Sequence, residues 1–79
     1  MIKIKVLGSG CANCKRLEAV VRHVVENEKI EAEIEKVTDF AEITQYPILS
    51  TPGLVINEKV VSSGRIPGIA EVTAWLKEA

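Results

Sequence analysis

Gly8-Ser9-Gly10-Cys11-Ala12-Asn13-Cys14 separates a run with strand character, Ile2 to Leu7, from a run with helix character, Cys14 to about Glu28. Two cysteines three positions apart at the opening of a helix share one face, and their Cα atoms stand roughly 5 Å apart, inside the disulfide range. Such a pair opens and closes with little movement of the backbone. Cys11 falls beside the unpaired N–H groups of the first turn and the positive end of the helix dipole, which favour a thiolate. Cys11 is therefore the expected nucleophile, and Cys14, one turn deeper on the buried face, the expected resolving thiol.

The same spacing serves zinc sites, soft-metal carriers and plain structural disulfides, so the two cysteines alone leave these readings open. The rest of the chain narrows them. Its 79 residues suit one domain over residues 1–79, and the 47% of hydrophobic residues, almost all Val, Ile, Leu and Ala, supply a dense core for so short a chain. Two cysteines are too few to staple a secreted scaffold and fit a reducing compartment, where a single pair is catalytic. Apolar runs are too short to span a bilayer, and Met1-Ile2-Lys3-Ile4-Lys5 alternates in a way no signal peptide does, so a cytoplasmic protein without a membrane partner is expected. A net charge of −1 argues against nucleic acid. Lys15-Arg16, the adjacent basic pair after the cysteines, is either a solvated helix face or a support for the Cys11 thiolate.

Along the chain, Ile2, Ile4 and Val6 alternate with Lys3 and Lys5, predicting a strand with one wet face at its start and burial by Val6-Leu7. Cys14, Leu17, Val21 and Val24 recur at helical spacing, with Arg16, Glu18, Arg22 and Glu26 on the outer side. Ile30, Ala32 and Ile34 alternate with Glu31, Glu33 and Glu35, as in an edge strand whose charges discourage further pairing. Thr38 is the expected cap of a short second helix with Phe40, Ile43 and Tyr46 as apolar contacts and Pro47 as its stop. Leu54-Val55-Ile56 and Val60-Val61 flank a turn at Asn57-Glu58-Lys59 in which Asn57 takes positive φ. Pro67 and Gly68 open a last helix with Ile69, Val72, Trp75 and Leu76 inward.

The order is β-α-β-α-β-β-α. Strands separated by a full helix run parallel through a right-handed crossover and the late pair is antiparallel, which gives an α/β fold with a four-stranded mixed sheet and helices on both faces. The cysteine loop leaves the C-terminal end of the first strand, where open α/β sheets place their sites.

With Cys11-Ala12-Asn13-Cys14 after the first strand, and Thr51-Pro52 some forty residues later before a hairpin and a closing helix, the chain resembles the thioredoxin superfamily over essentially its whole length. It is most similar to the small, glutaredoxin-sized "redox-active disulfide" proteins of archaea and bacteria. The resemblance implies a cis Thr51–Pro52 bond facing the cysteines, with Gly10, Thr51 and Pro52 offering backbone to an extended partner segment. It implies a dithiol–disulfide oxidoreductase that needs no cofactor and no metal. Its partners would be disulfide-containing proteins and an upstream reductase of unknown type, and nothing demands more than a monomer. Several positions depart from better-known members. Gly10 stands where thioredoxins carry Trp, Ala12-Asn13 replaces Gly-Pro, and the Pro-Tyr of glutaredoxins is absent, which weakens glutathione as a partner. Lys5 occupies the position six before Cys11 at which thioredoxins bury an aspartate that manages the resolving thiol's proton.

The competing reading is a carrier that holds Cu(I), Zn or another thiophilic metal between Cys11 and Cys14. Small copper chaperones end in a strand, whereas this chain is expected to end in a helix. His23, nine residues past Cys14 and about 13 Å along the same helix, is too far to be a third ligand. An inert structural disulfide fits poorly, because a loop of three residues restrains little of the unfolded chain.

Overall fold

The computed structural model describes residues 1–8, 12–48 and 50–79. Among the described residues the order is β1 (Ile2–Leu7), α1 (Ala12–Asn27), β2 (Ala32–Val37), α2 (Phe40–Ile43), β3 (Gly53–Ile56), β4 (Lys59–Ser63) and α3 (Ile69–Glu78). The sheet order is β2-β1-β3-β4. β1 runs parallel to β2, from Ile2 opposite Ala32 to Leu7 opposite Val37, and antiparallel to β3, where Leu7 faces Gly53. This is the mixed four-stranded α/β sheet that the element order implies, with β2 at an edge.

Alternation along β1 divides the interior in two. Ile4 and Val6 join Leu17, Val21 and Val24 of α1, Leu54 and Ile56 of β3, and Val72 and Leu76 of α3 in one core. Leu7 points to the other face, where it meets Val37, Val55 and Ile43 of α2, with Tyr46, Ile48 and Val60 packed around them. Two full helices thus cover one face and a single helical turn covers the other.

Several local expectations are corrected. α1 begins two residues earlier than its apolar stripe, at Ala12. Beyond its end Lys29 takes φ +52°, while its N–H donates to Glu26 O and that of Ile30 to Val25 O. These paired bonds close the helix in a Schellman motif, so Ile30 belongs to the closure and the strand begins at Ala32. Asp39, not Thr38, caps α2, its carboxylate accepting from Ala41 N at 2.9 Å. Phe40 is 77% exposed rather than an apolar contact. α2 ends at Ile43, short of Pro47, because Gln45 N and Tyr46 N donate three residues back, to Glu42 O and Ile43 O, and tighten the chain out of the α geometry.

The hairpin turn is two residues, Asn57 and Glu58, both at positive φ (+50° and +66°), and Lys59 already lies in β4. Asn57 Oδ1 accepts from Lys3 N at 3.0 Å while its own N–H donates to Lys3 O at 2.8 Å, which clamps the turn to β1. A bulge follows: Leu54 faces Ser62 but Val55 faces Val60. In α3, Val72 and Leu76 are buried and Trp75 packs against the core, but Ile69 is 51% exposed, being the first helical residue after the Gly68 cap.

Candidate active site at the end of β1

The residues that bear chemistry gather where β1 ends. Cys14 is the third residue of α1 and the first of its inward stripe, so the packing of Leu17, Val21 and Val24 turns its sulfur toward the sheet. It is 6% exposed and disulfide-bonded. Cys11 and Gly10 lie outside the described residues.

Gly8 meets that sulfur. Its N–H continues the β1–β2 ladder by donating to Val37 O at 3.0 Å, and the residue is buried. A Cβ placed on Gly8 would run into Cys14 Sγ, would stand 3.1 Å from Cys14 Cβ, and would lie 4.0 Å from Thr51 Cβ. Cys14 and Thr51 therefore flank one point, the bare Cα of Gly8. The sequence pattern assigned Gly8 no role; its signal was only the lack of a side chain three positions before Cys11.

The loop that carries Thr51 is held from two sides. The Thr51–Pro52 peptide is cis, and Pro52 is buried. Pro52 O accepts from Gly64 N at 2.9 Å, tying the loop to the segment after β4, and Gly53 then enters β3 opposite Leu7. Gly64 has φ +73°, and a Cβ there would also strike Ser50 Oγ, so both its backbone and its surroundings require glycine. An open depression of about 300 Å³ is lined by Phe40, Ile43, Thr44, Ile48, Ser50 and Thr51.

The first turn of α1 carries no acidic side chain, and Lys15 and Arg16 are exposed. Lys5 projects to the α2 face, 24% exposed, with Nζ donating to Tyr46 OH at 2.9 Å and paired with Glu58 at 2.8 Å. The Glu58 carboxylate, then the Tyr46 hydroxyl, hold the Lys5 ammonium above the usual lysine range, and Lys5 in turn holds Glu58 below the usual carboxylate range. A cation fixed in this way is no proton acceptor for a thiol. His23 is exposed on α1, and among the described residues no group of three His, Cys, Asp or Glu side chains is placed to hold a metal ion.

Comparison with known proteins agrees with this geometry. The sequence model of the thioredoxin domain family matches residues 2–77. A thioredoxin of Methanocaldococcus jannaschii is 38% identical over 77 residues, spanning 98% of this chain and 88% of that one. A thioredoxin of Methanothermobacter thermautotrophicus is 35% identical over 72 residues, spanning 91% and 94%. Among solved structures, the germline-specific thioredoxin Deadhead of Drosophila melanogaster superimposes with a TM-score of 0.67 over 98% of this chain and 79% of its own, at 19% identity, a likeness of fold. The chain belongs to the thioredoxin domain family, and its function is thioredoxin-like redox chemistry.

Proposed function

We propose that the protein exchanges dithiol for disulfide with partner proteins, Cys11 attacking and Cys14 resolving. The Cys11 thiolate attacks one sulfur of a partner disulfide, forming a mixed disulfide and expelling the other partner sulfur as thiolate. Cys14 then gives up its proton and attacks Cys11, which releases the second partner sulfur. Two electrons pass to the partner, the Cys14 proton and one from solvent complete its two thiols, and Cys11 and Cys14 end as a disulfide. The observation that carries the reading is the Cys14 sulfur, buried in the first turn of α1, disulfide-bonded, and set beside the same point as Thr51.

Cys11 immediately precedes Ala12, the first residue of α1. A helix N-terminus contributes about 0.3–1 kcal/mol to an anion, which lowers a thiol pKa by under roughly one unit. Further lowering falls to N–H donors and to Lys15 or Arg16. Gly10, Thr51 and Pro52 present backbone to an extended partner segment, and the depression at Thr51 takes its apolar side chains. The reading places the protein in the cytoplasm as a single-domain monomer without cofactor, served by a reductase whose type is open, and without nucleic-acid or membrane partners. No helix among the described residues is long and apolar enough to cross a membrane.

Trapping tests the proposal. Cys14→Ser protein mixed with soluble extract should accumulate adducts that dithiothreitol releases, and these should vanish when Cys11 is also replaced. Substantial exchange activity in a Cys11→Ser variant would sink the assignment.

A further inference from the structure

We infer that Gly8 is a positioning residue that sets the dithiol–disulfide balance by leaving room for the Cys14 sulfur; this rests on the exchange reading above. The space beside the Gly8 Cα is where Cys14 Sγ lies in the disulfide form, and any Cβ at position 8 would claim the same space. The backbone does not ask for glycine, since the φ of Gly8 is outside the left-handed region and its N–H makes an ordinary ladder bond to Val37 O. The severe requirement is the sulfur; the 3.1 Å approach to Cys14 Cβ is a milder one that both redox forms share.

The two redox forms feel that requirement unequally. In the disulfide, Sγ is tethered through its own Cβ and through the S–S bond, so it cannot move off Gly8. In the dithiol the second tether is gone, and rotation about Cα–Cβ lets the sulfur choose another staggered position. An added methyl therefore penalises the disulfide more than the dithiol, and only that difference shifts the equilibrium.

The test is equilibration of the protein with mixtures of reduced and oxidised dithiothreitol. In that reaction the protein disulfide is reduced by the dithiothreitol dithiol, which closes to its cyclic disulfide, so electrons and protons balance. Gly8→Ala should shift the equilibrium about tenfold toward the protein dithiol, a rise of about 30 mV in reduction potential. Gly53→Ala is the control. Its Cβ would meet Ile48 Cδ1 at 3.2 Å and Leu7 Cδ1 at 3.3 Å and no sulfur, so it should lower the unfolding temperature of both forms alike and leave the potential unchanged.

A shift in Gly8→Ala no larger than that in Gly53→Ala overturns the inference. Thermal unfolding of the two forms gives an independent readout: the oxidised Gly8→Ala protein should lose more of its midpoint than the reduced one, and equal losses overturn the inference. If Gly8→Ala folds in neither form, Cys14→Ala added to it should restore folding, and failure to restore it is again fatal. An absence of trapped partners with the potential shift intact would strike the exchange reading and spare the role of Gly8.

Discussion

The two faces of the sheet are built to different standards. Among the described residues, nine buried under α1 and α3 form one continuous core, while the buried cluster on the α2 face is Leu7, Val37, Val55 and Ile43, around one turn of helix, and Phe40 stands in water. The candidate site draws on both. Cys14 is carried by a helix anchored in the thick core, and Thr51 by a loop that leaves the thin one. The sulfur thus rests on the thick core, while the Thr51 loop is fixed by its ties to Gly64 and to β3 rather than by packing beneath it.

Substitutions can break or sharpen this contrast. Leu17→Ala, in the thick core, should cost the most, about 2–5 kcal/mol in urea unfolding, with the site lost along with the fold. Ile43→Ala, in the thin one, should cost about 2 kcal/mol because that face can settle into the space, and hydrogen exchange should rise around α2 while α1 stays protected. If both substitutions cost the same, the contrast fails.

Two smaller effects should have opposite signs. Asp39→Ala removes the α2 cap and should cost about 1 kcal/mol. Ser62 lies opposite Leu54 and so faces the thick core, 8% exposed, with a hydroxyl that has no hydrogen-bond partner; Ser62→Ala should stabilise by about 1 kcal/mol on calorimetry.

The smallest effect belongs to the exposed pair on the thin face. Glu58 has a depressed pKa, so its contribution is complete above the ordinary carboxylate pKa and fades as the pH falls through its own lower value. Lys5 is raised, so its contribution is complete below the ordinary lysine pKa and is lost at higher pH. The difference in melting temperature between wild type and Glu58→Gln should therefore be level from about pH 5 to 10 and vanish on acidification. A difference that persists in acid would mean that the carboxylate's shape, rather than its charge, holds Lys5.

The thick core was legible in the sequence because its elements are long enough to show a period. Cys14, Leu17, Val21 and Val24 name one helix face, and Ile4 and Val6 one strand face, without help from the rest of the chain. The thin face was misread where elements are too short for a period. One turn of helix has no stripe, so nothing local shows that Phe40 points outward, and Thr38 and Asp39 are equally good caps until Val37 pairs with Leu7 and makes Thr38 the connector. The positive φ of Glu58 follows from the turn being two residues long, which the three-residue reading Asn57-Glu58-Lys59 did not show. The candidate site divides in the same way. Cys14 and Thr51-Pro52 stood out by spacing and resemblance, whereas Gly8 has meaning only once the chain reverses and returns a sulfur to it.

The place of β1 in the sheet bears on how the molecule comes into being on the ribosome. Its two neighbours, β2 and β3, both emerge after it, and the helix it feeds packs on the sheet and on α3. Until Val72 and Leu76 arrive, Leu17, Val21 and Val24 can pack only on Ile4, Val6, Leu54 and Ile56, and a nascent chain halted before them leaves part of that stripe exposed. β1 gains both sheet neighbours once β3 is made, but the core on its α1 face is completed only by α3, so arrival of that helix rather than local helix formation sets the moment at which the stripe is fully buried.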